Sequence, residues 1–109
     1  MSVIDNFEKM LAAGQDSALL RFSLGSAYYQ VGDASGAIPH LASAVAQDNG
    51  YSAAWKIYGR ALTELGRFDD AMVALETGIA VAEKKGDIQA KKEMTVFLKR
   101  AQKKRSENP

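Results

Sequence analysis

The chain has 109 residues, enough for one domain with one modest core. It has no cysteine and a single histidine, which excludes a disulfide framework, thiolate chemistry and a His-rich metal site. The net charge of +1 conceals a split: residues 1–83 carry five Lys/Arg against ten Asp/Glu, and residues 84–109 carry nine against three, so a basic arm follows an acidic body.

Apolar residues recur at three- and four-residue spacing and predict six amphipathic helices. The first is read over residues 3–13. The second spans 17–31 on Leu20, Leu24, Ala27, Tyr28 and Val31. The third spans 35–47 and contains Pro39, whose missing N–H and ring clash cost least if the helix starts late or kinks there. The fourth spans 52–65 on Ala54, Tyr58, Ala61, Leu62 and Leu65, and the fifth 69–85. The sixth, over 88–104, has an apolar stripe of Ala90, Met94, Phe97, Leu98 and Ala101. Gly14, Gly32, Gly50, Gly66 and Gly86 each follow a helical run as left-handed stops. Asp16, Asp33 and Asp87 are candidate N-caps, and Asp69 with Asp70 are read as capping residues that suit a helix dipole. Residues 106–109 are expected to fray. No apolar run approaches the roughly 18 residues of a membrane span. The N-terminus lacks a basic start followed by an apolar run, so a cytoplasmic location is expected.

The chain also says one thing twice. LGSAYYQVGDASGAIPHL, residues 24–41, is answered 34 residues later by YGRALTELGRFDDAMVAL. Gly25 aligns with Gly59, Ala27 with Ala61, Gly32 with Gly66, Ala37 with Ala71 and Leu41 with Leu75. A 34-residue period of helix, glycine turn and helix resembles the tetratricopeptide repeat (TPR) family. The first unit, 18–51, has Leu24, Gly25, Tyr28 and Ala37, with Leu41 in the family's Phe place and Arg21 in its Trp place. The second, 52–85, has Trp55, Gly59, Ala71 and Leu75, with Tyr58 and Leu62 exchanging the family's Leu and Tyr. One period upstream, Val3 and Phe7 fall where Ala37 and Leu41 stand, so residues 3–16 resemble the second half of a truncated repeat. The sixth helix leaves the 34-residue register and is read as a C-terminal capping helix over 87–105. The expected fold is therefore all-α: one domain, a short superhelical stack of antiparallel helix pairs. Glycine and alanine allow close helix approach, and Leu24, Tyr28, Leu41, Trp55, Tyr58, Leu62 and Leu75 fill the layers.

Nothing in the sequence reads as an enzyme. Gly-rich phosphate loops are missing, and His40 has no neighbouring ligand pattern and is read as a solvent-facing helix residue. No cofactor, metal or small-molecule substrate is expected. The resemblance implies a concave groove lined by the first helix of each unit. The candidate partner-binding residues are Phe22, Ser26 and Tyr29 with Lys56, Arg60 and Thr63, flanked by Leu19, Gln30, Ala53 and Glu64. Phe22 and Tyr29 would be the apolar anchors, and Lys56 and Arg60 would receive a carboxylate. The alternatives are that Phe22 packs on the first helix and that Arg60 and Glu64 form an ordinary i, i+4 pair. Phe22 and Ser26 stand where a chaperone-type carboxylate clamp would need Lys and Asn, so that clamp is not implied. The resulting expectation is a non-enzymatic adaptor or scaffold that binds a protein segment, with an acidic group favoured. The alternatives are nucleic-acid or polyanion binding through Lys84, Lys85, Lys91, Lys92, Lys99, Arg100, Lys103, Lys104 and Arg105, and self-association of acidic body with basic arm.

Overall fold

Helix starts are set by side chains that satisfy the otherwise orphaned first N–H groups. The computed structural model, which describes residues 2–108, has six helices, α1 (Val3–Ala12), α2 (Ala18–Gln30), α3 (Ala34–Gln47), α4 (Ser52–Glu64), α5 (Phe68–Lys85) and α6 (Ile88–Glu107), and such a side chain caps α1, α2, α3 and α6. Asp33 accepts from Gly36 N–H at 2.8 Å and Asp87 from Ala90 N–H at 3.0 Å, as expected. Asp16 does not cap: Ser17 accepts from Leu20 N–H at 3.1 Å, and Ser2 does the same for Asp5. Asp69 and Asp70 make no side-chain cap, but both lie in the first turn of α5, where their charge suits the helix dipole as expected. Asp70 pairs with Arg67 at 2.9 Å, Asp69 pairs with Arg105 of α6, and Arg67 stands at the cap position without a side-chain bond.

Four of the five expected glycine stops are left-handed: Gly14, Gly32, Gly66 and Gly86 have φ between 73° and 89°. Gly50 is not among them. There α3 runs into an extended Asp48, whose carboxylate takes Gly50 N–H at 3.0 Å in a short side-chain turn. Pro39 lies in the second turn of α3, because the helix begins at Ala34, behind the Asp33 cap. Residues through Glu107 are helical, and Asn108 closes the end by donating its side-chain amide to Lys104 O at 2.8 Å.

The helices pair as α2 with α3 and α4 with α5, and the pairs join through α3 on α4. α6 packs on α5 and touches α4, while α4 also touches α2. Thus α2, α4 and α6 form one layer, and the molecule measures 42 × 32 × 19 Å. Leu24, Leu41, Leu62, Leu75 and Met94 are the largest fully buried side chains. Gly25 faces Leu41 so closely that a Cβ there would stand 2.5 Å from Leu41 Cγ, and Gly59 faces Leu75 in the same way. A third close approach escaped the sequence reading: Gly78 of α5 receives the Met94 sulfur of α6 beside Trp55. The Trp55 ring nitrogen donates to Asn49 O at 2.8 Å, which satisfies its polar handle.

Candidate functional site

The layer of α2, α4 and α6 presents one side chain per turn along its open face. Tyr29 comes from α2, Arg60, Thr63 and Glu64 from α4, and Phe97, Arg100 and Lys104 from α6. These seven line a depression of about 120 Å³. Its centre is Arg60. The guanidinium lies 4.5 Å from the Phe97 ring centroid and 5.3 Å from that of Tyr29, so two aromatic faces hold one cation. Arg100 covers Phe97 from the other side at 5.5 Å. The Tyr29 hydroxyl donates to Glu64 at 2.7 Å. Burial, then the bond to that carboxylate, pushes the Tyr29 phenol above its ordinary value. Three cations and one carboxylate therefore surround a partly apolar floor, and the guanidinium edge is preset for an anionic oxygen.

The structure thus brings Tyr29, Arg60 and Thr63 together. Ser26 sits half-buried on α2 one turn before Tyr29. Phe22 lies elsewhere: its ring rests 4.8 Å from that of Tyr51 and packs against buried residues of α3 and α4. Lys56 is not a lone cation. Its ammonium is 3.4 Å from Glu93 of α6, in a neighbouring depression with Asp87 and Gln89. Phe97, Arg100 and Lys104 were missed as groove residues because the sixth helix was read as having a single apolar stripe. With Glu93 they recur at positions 93, 97, 100 and 104, a second helical face legible from spacing alone.

His40 also departs from expectation. Its side chain is only 13% exposed, stacks on Tyr28 at 5.5 Å and stands 3.5 Å from Glu8 of α1. Arg21 lies 3.2 Å from His40 Nδ1. Arginine can only donate, which makes Nδ1 the acceptor and leaves the ring proton on Nε2, toward Glu8. Burial pushes the imidazole below its ordinary value against the pull of Glu8, and Arg21 adds to the fall. Arg21 also grips Asp16 through two bonds of 2.9 and 3.0 Å, while Gln47 donates to the same carboxylate at 2.9 Å. Arg21, then Gln47, hold the Asp16 carboxyl down at about 2. The cluster joins α1, α2 and α3, and among the described residues no group of His, Asp and Glu is placed to hold a metal ion.

A stack of paired helices repeating every 34 residues defines a helical-repeat protein. A model of the tetratricopeptide repeat family matches residues 28–94. A TPR repeat-containing protein of Pseudomonas aeruginosa is 51% identical over 98 residues, 90% of this chain and 93% of that protein. The solution structure of a Bordetella parapertussis protein is similar at a TM-score of 0.82 and 39% identity, over 99% of this chain and 94% of its own. A tetratricopeptide repeat domain protein of Salinibacter ruber shares the fold at a TM-score of 0.73 and 24% identity, over 80% of this chain and 97% of its own. The chain belongs to the tetratricopeptide repeat family. Repeats of this family generally mediate protein–protein interaction and are typically non-enzymatic scaffolds.

Proposed function

We propose that the protein is a non-enzymatic cytoplasmic adaptor that holds an acidic protein segment on the face formed by α2, α4 and α6. The observation that carries the reading is Arg60, immobilised between Tyr29 and Phe97 and flanked by Arg100 and Lys104. A carboxylate from the partner would take the Arg60 edge, and its neighbouring apolar group would rest on the aromatic rings. Holding the arginine in advance lowers the ordering entropy that binding must overcome. Lys56 has a weaker claim on the ligand, because Glu93 already neutralises it.

Affinity capture from nuclease-treated lysate tests this, comparing wild type with Arg60→Glu/Arg100→Glu and reading retained proteins by mass spectrometry. A small set retained by wild type and lost by the variant, with unchanged helical circular dichroism, supports the groove. Equal retention by both proteins removes it. Arg100 and Lys104 also belong to the basic arm, which keeps polyanion binding as a second reading. Retention that appears only without nuclease and collapses steeply with salt would favour that reading.

A further inference from the structure

The two ends of the stack are each half of a repeat, and they are opposite halves. α1 corresponds to α3 and α5, the second helices of their pairs; α6 joins the layer of first helices, α2 and α4. The consequence shows in exposure. Ala37 and Ala71 are completely buried, yet Val3, one period earlier, is 60% exposed. Ala44 is completely buried, yet Met10 is 39% exposed. Each full repeat covers these positions with its own first helix. Among the described residues no helix covers them on α1, whose backbone packs on α2 alone. A cleft of about 370 Å³ remains there, lined by Phe7, Met10, Leu19 and Leu20, and Leu19 is 66% exposed.

The opposite end carries the complement. α6 spends one face on α5, through Met94 and Ala101, and another on the depression around Arg60. Its remaining strip is Ile88, Lys92, Val96, Lys99 and Lys103, all exposed, with Val96 at 50% and Ile88 at 66%. The three lysines of this strip enter none of the ion pairs among the described residues. The first twenty-one residues, by contrast, hold Asp5, Glu8 and Asp16 against Lys9 and Arg21, and Arg21 already grips Asp16.

We infer that the outer strip of α6 in one copy docks on the α1–α2 end of a second copy, so that α6 and the neighbour's α1 complete a repeat between them. Val96 and Ile88 meet Val3, Met10 and Leu19, and the strip lysines face the acidic N-terminal end. The contact is heterologous: each copy offers one end and leaves the other open, so association proceeds as head-to-tail chains and not as a closed pair. Opposite charge makes it sensitive to salt.

Sedimentation velocity over a concentration series, on the full chain, tests this. Wild type is expected to gain mass with concentration at low salt, with association weakened about tenfold or more in high salt. Val3→Glu/Met10→Glu blocks one end, and Val96→Glu/Lys99→Glu blocks the other. All four positions are exposed, so each variant should keep the wild-type melt and remain monomeric alone. Mixed together, the two variants retain one intact end each and must form a one-to-one dimer and nothing larger. Wild type that stays monomeric throughout overturns the inference, as does a mixture that fails to pair or either variant dimerising by itself. Association that a groove variant, Arg60→Glu, abolishes would place the contact elsewhere and overturn it as well.

Discussion

Gly25 sits in the middle of α2, where alanine would normally add about 1 kcal/mol of helix stability. The structure predicts the opposite sign. An added Cβ would meet Leu41 Cγ at 2.5 Å and Cδ2 at 2.6 Å, against roughly 3.5–4.0 Å for an ordinary carbon contact. Relief needs a shift of about 1 Å, and Leu41 is 0% exposed, with no free space to move into. Overpacking of this kind costs about 1–3 kcal/mol, so Gly25→Ala should lose about 1 kcal/mol net. Leu41→Ala alone should lose about 2–5 kcal/mol. In that background the nearest obstacles to the new methyl are gone, and Gly25→Ala should now gain about 1 kcal/mol. The sign reversal corresponds to a coupling of roughly 2 kcal/mol. Urea unfolding of the four proteins, with m held constant, measures it. The same effect of Gly25→Ala in both backgrounds, or a gain in wild type, would refute the close-approach argument.

Three further perturbations address the polar framework. His40 has a folded pKa below its unfolded value, so its contribution is complete above about pH 6.5 and erodes as pH falls through that value toward the folded pKa. Thermal melts between pH 7.5 and pH 5 should therefore decline in wild type and flatten in His40→Gln; parallel profiles would show that the imidazole is not the cause. Asp16 behaves in the contrary sense, stabilising above its unfolded value of 3.8 and losing that contribution as pH falls through about 2. Asp16→Asn should remove the corresponding acid-side slope and, by taking a negative charge away from His40, lower the imidazole pKa further, as read by the same melts. Asp33→Ala should lose about 1 kcal/mol by removing the α3 cap, a fall of roughly 4–8 °C in Tm; an unchanged Tm would show that the Gly36 N–H finds another acceptor.

The helical register was legible because burial in a repeat stack depends on periodicity, and Gly25/Leu41 and Gly59/Leu75 record the same contact twice. Caps were harder. At α2, Arg21 with Gln47 claims Asp16 and Ser17 takes the cap, while Asp69 and Asp70 fall inside the first turn of α5, past the cap position held by Arg67. Distant partners also displaced parts of the expected groove. Tyr29, Arg60 and Thr63 follow from the position of one helix face. Whether Lys56 is available depends on Glu93, 37 residues away, and whether Phe22 is available depends on Tyr51. His40 was misread because nothing local marks burial by α1, whose Glu8 reaches it across a turn and a helix.

α6 explains why a helix so rich in lysine and arginine is built into the fold and is not a loose arm. Its Met94 and Ala101 are completely buried, and Arg105 and Lys91 pair with Asp69 and Glu83 at the two ends of α5. That anchoring fixes the rotation of the helix, and rotation decides the rest: Glu93, Phe97, Arg100 and Lys104 must then face α4, while Lys92, Val96, Lys99 and Lys103 must face outward. The groove cations and the outward lysines are thus separate sets on one rigid helix, and charge reversal on one should leave the other in place. It also means that deleting α6 would expose the Gly78 contact and unpack the core, so loss of binding in such a truncation would report unfolding. Only point substitutions on a single face can assign a function to either set.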